Sequence, residues 1–298
     1  IPKANTLRKG ILLYRGIRYR KGFGVHSPFV FNLITKVIEE RCQYYSFYDI
    51  ELIRKQLLFQ DDEITYPDRQ QKGKMRRRTI GRIVEREAIR PKHGALLFRL
   101  ANYFKSKHIL QFGPSMGLST LYLTSYASDL KCIALENVPE FASIARIAFG
   151  KAARNPVDLR VGSYKDLLPK ALKDMEQLDF VFFNTLYEQQ NNSWLFEECL
   201  KHVHGDTVFV FEGIKTSRKN ARILAGSMLS SRSNGDDRPV FNGNRVFSTR
   251  SYTRGIISSI SDSLSKDTNK LIFDLYIRLT SSTAMLDLIC DRDNNRKQ

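Results

Sequence analysis

His108-Ile-Leu-Gln-Phe-Gly113-Pro-Ser-Met-Gly117-Leu-Ser-Thr-Leu-Tyr-Leu123 is the stretch that decides the fold. A short apolar run reads as a strand, two glycines four positions apart form a loop, and the chain passes directly into an apolar helix. Glycine suits a backbone that turns sharply and must approach a ligand with no Cβ in the way. The next apolar run ends in Leu135-Glu136, with Glu136 lying 23 positions beyond Gly113. A carboxylate at that distance can accept both hydroxyls of a ribose. The loop is not G-x-G-x-x-G and lacks the Lys-Ser/Thr of a phosphate-binding loop, which disfavours a pyrophosphate ligand such as NAD.

Outward from this loop, strand-like runs at 108–112, 131–135, 157–161, 178–184 and 207–212 alternate with helical patterns at 94–104, 116–126, 139–150, 163–175 and 192–202. Such alternation predicts an α/β fold, a parallel sheet covered on both faces. The end breaks the rhythm: 271–279 and 284–290 are separated by only Thr280-Ser281-Ser282-Thr283, too few residues for a crossover helix, so two strands there form an antiparallel hairpin. Residues 226–262, rich in Ser, Asn, Arg and Gly, read as an insertion or disordered excursion.

Upstream, the spacing predicts helices over 28–40, 47–59 and 80–88, with 61–78 a mobile connector ending in Lys72, Lys74, Arg76, Arg77 and Arg78. The expected organisation is a basic helical N-terminal cap over 1–92 and the α/β domain over 93–298. Charge follows that division. The chain carries 48 Lys+Arg and 31 Asp+Glu, a net +17; residues 1–110 hold 24 basic and 10 acidic side chains (+14), leaving 24 and 21 (+3) for the rest. No run of 18 apolar residues exists, which excludes a transmembrane helix. The basic N-terminal stretch has too short an apolar run for a signal-peptide core, so a cytoplasmic location is expected. Cys42, Cys132, Cys199 and Cys290 form no CxxC pair and read as reduced thiols, not as a zinc or disulfide framework.

The Gly94-Ala-Leu-Leu-Phe-Arg-Leu stretch, the glycine loop with its Leu118-Ser-Thr-Leu-Tyr-Leu helix, and Glu136 together resemble the class I S-adenosylmethionine-dependent methyltransferases, in their small-molecule O-methyltransferase-like branch. The similarity covers about residues 92–225 and 268–290. Arg18-Tyr-Arg-Lys-Gly-Phe-Gly-Val-His-Ser-Pro-Phe29 is similar to a signature of a bacterial subgroup. The resemblance implies a Rossmann-like three-layer sandwich with a seven-stranded, mostly parallel sheet in the order 3-2-1-4-5-7-6, strand 7 antiparallel. It implies S-adenosyl-L-methionine as cofactor, with Gly113, Pro114, Ser115 and Gly117 around its methionine portion. Glu136 would hold the ribose, Gly162 and Ser163 would lie near the adenine, and Asn184 would face the reaction centre.

The chain also departs from that family. Gln111 stands where an acid is usual, Asn184 where Asp is usual, and Glu212-Gly213 where metal-dependent relatives carry an acidic-amide pair. A hard divalent cation wants several converging oxygens; one carboxylate and one amide point to metal-independent chemistry. Methyl transfer needs alignment more than covalent help, and Glu212 is the candidate base or acceptor-positioning group, with Tyr187 a weaker one. His26 reads as part of a helix entry, with Ser27 as N-cap, His202 and His204 as histidines near a turn, and Trp194 as a packing residue.

Three functions follow. The first is a methyltransferase acting on a small-molecule acceptor. The second is an RNA methyltransferase using the basic cap as a phosphate footprint. The third is a cofactor-binding or regulatory module that has lost catalysis. No membrane partner is expected, and the oligomeric state is open.

Overall fold

Five apolar runs, each five to nine residues long, lie side by side in parallel register and set the architecture of the computed structural model, which describes residues 28–68, 73–152, 157–184, 192–212 and 245–248. The described residues fall into two units, one of residues 28–41 with Ser248 and one drawn from 42–212 with 245–247. In the first, α1 (Pro28–Leu33) continues as a π-helical turn over Ile34–Ile38, with Leu33, Ile34 and Val37 buried.

The second unit begins with α2 (Tyr45–Leu58), whose inner face buries Phe47, Ile50, Ile53 and Leu57. Residues expected to be a mobile connector are instead an antiparallel hairpin, β1 (Glu63–Pro67) and β2 (Met75–Thr79), with Tyr66 opposite Arg76. The connector reading failed because polar composition hides a strand whose one apolar anchor does the packing. Tyr66 is buried, packs its ring at a tilt with its centroid 5.0 Å from that of Phe141, and donates its hydroxyl to Glu87. Then come α3 (Ile80–Glu87), capped where the Thr79 hydroxyl accepts the Arg82 N–H, and α4 (Pro91–Tyr103), which opens on a proline that has no N–H to lose.

The parallel strands are β3 (His108–Phe112), β4 (Lys131–Glu136), β5 (Val157–Val161), β6 (Leu178–Phe183) and β7 (Val203–Phe211). Their connecting helices are α5 (Leu118–Thr124), α6 (Pro139–Ala152), α7 (Tyr164–Met175) and α8 (Asn192–Leu200). With β8 (Arg245–Ser248) they form one sheet in the order β5-β4-β3-β6-β7-β8. This is an α/β Rossmann-like fold. Counting β3 as first, the expected 3-2-1-4-5 is present. Its neighbour beyond β7 is corrected: β8, from the stretch expected to be an insertion, occupies that place. The edge of β7 offers a row of unpaired backbone groups, which any short extended segment satisfies. The expected terminal hairpin at 271–290 lies outside the described residues.

Strand β7 also starts earlier than its apolar pattern suggests. Its first half carries a bulge, with four residues of β7 (204–207) opposite the single Asp179 of β6, and Thr207 fastens it by donating to the Leu178 carbonyl (2.6 Å) and accepting the His204 N–H (2.9 Å). Cys132 and Cys199 are buried and Cys42 is exposed; burial pushes the Cys132 thiol up to about 12. No helix among the described residues is long and apolar enough to cross a membrane.

Candidate functional site

The register aligns the carboxyl ends of all five parallel strands. Phe112 lies opposite Leu135, Glu136 opposite Val161, and Phe183 opposite Phe211. The residues just past those ends, Gly113, Asn137, Gly162, Asn184 and Glu212, therefore form one row along the sheet edge. Four of them extend the ladder by one bond: Gly113 N–H to Leu135 O (2.9 Å), Gly162 N–H to Glu136 O (2.9 Å), Asn184 N–H to Phe112 O (3.0 Å) and Glu212 N–H to Phe183 O (2.9 Å). Beneath the row runs a ladder of rings. Phe112 stacks on Phe183 at 4.7 Å and Phe183 on Phe211 at 4.6 Å, interplanar angles 14° and 9°. Each such pair contributes about 0.5–1.5 kcal/mol beyond its buried area, so the edge stands on a rigid floor.

The strand order reverses between β3 and β6, the crevice where open α/β sheets bind ligands. At that point Asn184 Nδ2 donates to Gly113 O (3.0 Å), tying the end of β6 to the glycine loop. The loop is tightly wound. Gly113, Ser115 and Gly117 all have left-handed backbone, φ 65°, 54° and 82°. Ser115 carries a side chain there, a sparsely populated conformation for it. Its N–H is held by Glu136 Oε2 at 2.8 Å, while Glu136 Oε1 accepts the Val138 N–H at 3.0 Å. Gly113 and Gly117 give their N–H groups to Leu135 O and Pro114 O. Three loop donors are thus used inside the protein, not gathered into an anion-binding nest.

These contacts place the sequence-predicted residues. Gly113, Pro114, Ser115 and Gly117 form the loop as expected. Gly117 also has a packing reason to be glycine: a Cβ would come within 2.7 Å of the Phe149 ring and 3.3 Å of the Ala145 Cα on α6. Glu136 is wholly buried, and its carboxylate is the staple that closes the loop. Gly162, at φ 146°, has a backbone conformation that side chains rarely adopt, and a Cβ there would stand in ordinary contact with Leu167 at 3.7 Å. Ser163 is exposed and caps α7, its hydroxyl accepting the Lys165 N–H at 3.3 Å. Asn184 is half-buried and Glu212 is buried at the end of the row. Exposed Asn137 was not singled out in sequence; its place directly after Glu136 was the available signal.

Gln111 points away from this edge into the packing of α5, donating Nε2 to Ser119 Oγ at 2.7 Å within the core. Tyr187, His26 and Gly213 lie outside the described residues. His202 and His204 belong to the opposite side of the sheet, where His202 Nδ1 is 3.1 Å from Glu176 O and His204 Nε2 is 2.8 Å from Asp179 Oδ1. Asp179 also accepts the N–H groups of Lys107 (2.7 Å) and His108 (2.8 Å). Burial pushes the Asp179 carboxyl up, but these hydrogen bonds outweigh it and hold the group below the usual carboxylate range. Among the described residues no group of three or more His, Cys, Asp or Glu could hold a metal ion.

No family profile and no curated protein matches the chain. Among solved structures it is similar to an O-methyltransferase from Bacillus cereus in complex with S-adenosylhomocysteine, with 20% identity over 67% of this chain and 84% of that one and a TM-score of 0.46. It is also similar to a putative O-methyltransferase from Klebsiella pneumoniae, at 14% identity over 68% and 83% with a TM-score of 0.47. A third is the O-methyltransferase TomG from Streptomyces achromogenes, involved in tomaymycin synthesis and complexed with S-adenosylmethionine, at 18% identity over 66% and 72% with a TM-score of 0.43.

Proposed function

We propose that this chain binds S-adenosyl-L-methionine at the Gly113–Gly117 loop and transfers its methyl group to a small-molecule acceptor without a metal. The observation that carries the reading is the row Gly113, Asn137, Gly162, Asn184, Glu212 at the strand-order reversal. A loop whose donors are already used offers little to a pyrophosphate. A nucleoside joined to an amino acid asks less of it, and Gly162, with no side chain at φ 146°, leaves only backbone at the end of β5 where a flat base would lie. The resemblance of the loop and Glu136 to methyltransferases points the same way.

Bound there, the cofactor's sulfonium supplies an electrophilic methyl group. Gly113, Pro114, Ser115 and Gly117 hold its methionine portion, and Gly162 and Ser163 border the base. Because Glu136 is buried and occupied by Ser115 and Val138, its part in ribose binding includes holding the loop in shape; Asn137 presents a polar side chain beside it. Glu212 takes the proton from an acceptor hydroxyl, and Asn184 keeps the crevice between them uncharged. The chain's main contribution is orientation.

Calorimetric titration with S-adenosylmethionine and with S-adenosylhomocysteine tests this. Heat with either supports the site; no heat with both, for folded protein, removes it. Binding without turnover on any acceptor would leave the regulatory-module reading. The RNA reading draws less support, since Arg76 and Arg77 are paired with Asp68 (2.5 Å) and Glu63 (2.6 Å) on their own hairpin.

A further inference from the structure

The peptide that joins Gly113 to Pro114 has a single polar atom by which it can be held. Proline carries no N–H, so the Gly113 carbonyl oxygen is the only hydrogen-bonding group on that linkage. Among the described residues no backbone N–H bonds to this oxygen; its donor is the side chain of Asn184, at 3.0 Å. The main-chain N–H of Asn184 meanwhile donates to Phe112 O, also at 3.0 Å. One residue at the end of β6 thus grips two consecutive carbonyls where β3 passes into the glycine loop. From the other side β4 holds the same loop, through Leu135 O on the Gly113 N–H and Glu136 Oε2 on the Ser115 N–H. The Asn184 side chain is the hold that demands a donor. A carboxylate of the same size would set oxygen against oxygen.

We infer that Asn184 is a positioning residue, whose amide fixes the Gly113–Pro114 peptide in the orientation that lets the loop receive S-adenosyl-L-methionine. The inference rests on the reading that this loop binds the cofactor. It assigns Asn184 to the shape of the loop and not to the reacting atoms. Pro114 has little freedom of its own, since its ring holds φ at roughly −65°. The linkage therefore turns chiefly about Gly113, and a glycine at φ 65° has many other conformations open to it. The amide of Asn184 supplies the bond that selects one of them.

Calorimetric titration of the full chain with S-adenosylhomocysteine, on wild type, Asn184→Ala and Asn184→Asp, tests this. At about pH 8, Asn184→Ala should bind about fivefold more weakly and Asn184→Asp about tenfold or more, because its charge faces Gly113 O. The two variants part in acid. Partial burial and the facing oxygen raise the pKa of the carboxyl that Asn184→Asp introduces, and once protonated it is a donor. Towards about pH 5 that variant should regain about threefold or more of its affinity relative to wild type, while Asn184→Ala regains none. Glu136 and Glu212, the other carboxyls of this edge, are common to all three proteins, so the ratio isolates the new group. In ligand-free protein, amide exchange at Ser115 and Gly117 should be faster in Asn184→Ala, with the parallel strands unchanged. Variants that bind as tightly as wild type overturn the positioning role and leave the cofactor reading standing. So does an Asn184→Asp deficit that acid does not repair. Wild-type protein that gives no heat removes the cofactor reading instead, and this inference with it.

Discussion

Glu136 shows how one side chain can carry two readings. Its spacing from Gly113 suggests a ribose contact, while its surroundings make it the acceptor for two backbone N–H groups that shape the loop. The second role has a measurable cost. Glu136→Gln replaces one accepting oxygen by an NH2 that faces a backbone donor, and should destabilise the fold by about 1–3 kcal/mol, read from urea unfolding without ligand. A residue that served the ribose alone would leave ligand-free stability unchanged. Gly117 divides in the same way. Its left-handed backbone begins α5, and the Phe149 ring occupies the space a side chain would need. Gln111, which stands at an acidic family position, serves the packing of α5 through Ser119.

At the scale of elements, the helices that the 3.6-residue period predicts are present almost end to end, because each has an apolar face to bury and a local stop signal. Helix α3 depends on its cap more than the longer helices do. Thr79→Ala removes the acceptor for the Arg82 N–H and should cost about 1 kcal/mol, seen as a lower thermal midpoint; Thr79→Ser should keep most of it. The α2–α5 contact has a different basis. Tyr122, buried against Gly94, donates its hydroxyl to Glu51 at 2.8 Å, and Glu51 in turn pairs with Arg54 at 2.9 Å. Burial first, and then the Glu51 charge, push the Tyr122 phenol well above its usual range. It therefore stays a neutral donor under ordinary conditions.

For the molecule as a whole, the two edges of the sheet do different work. The carboxyl edge holds the candidate site, and the amino edge is tied together by Asp179, which joins β6 to β3 through Lys107 and His108 and to β7 through His204. Its folded carboxyl titrates below the unfolded one. The stabilisation is therefore complete above the unfolded value, about 3.9, and is lost as the pH falls through the lower folded value. Unfolding midpoints measured from pH 6 to pH 2 (roughly, on the scale of that carboxyl pKa) should show this loss in the wild type and a shallower acid limb for Asp179→Asn. Equal slopes would mean that the amino edge is held by other groups.

The amino-acid sequence by itself determined the alternation of strands and helices, the position of the glycine loop and its acidic partner, and the absence of a phosphate-binding pattern. These are local properties, written in side-chain period and in residues that turn the chain. Tertiary structure alone decided that Glu136 fastens the loop, that Phe112, Phe183 and Phe211 stack beneath the site, that the arginine-rich stretch is a hairpin anchored by Tyr66, and that β8 pairs beyond β7. Each depends on partners far apart along the chain, 21 residues for Ser115 and Glu136 and 71 for Gly113 and Asn184. Periodicity tells which face of an element is apolar. Only packing tells what that face, or a polar atom beside it, finally meets.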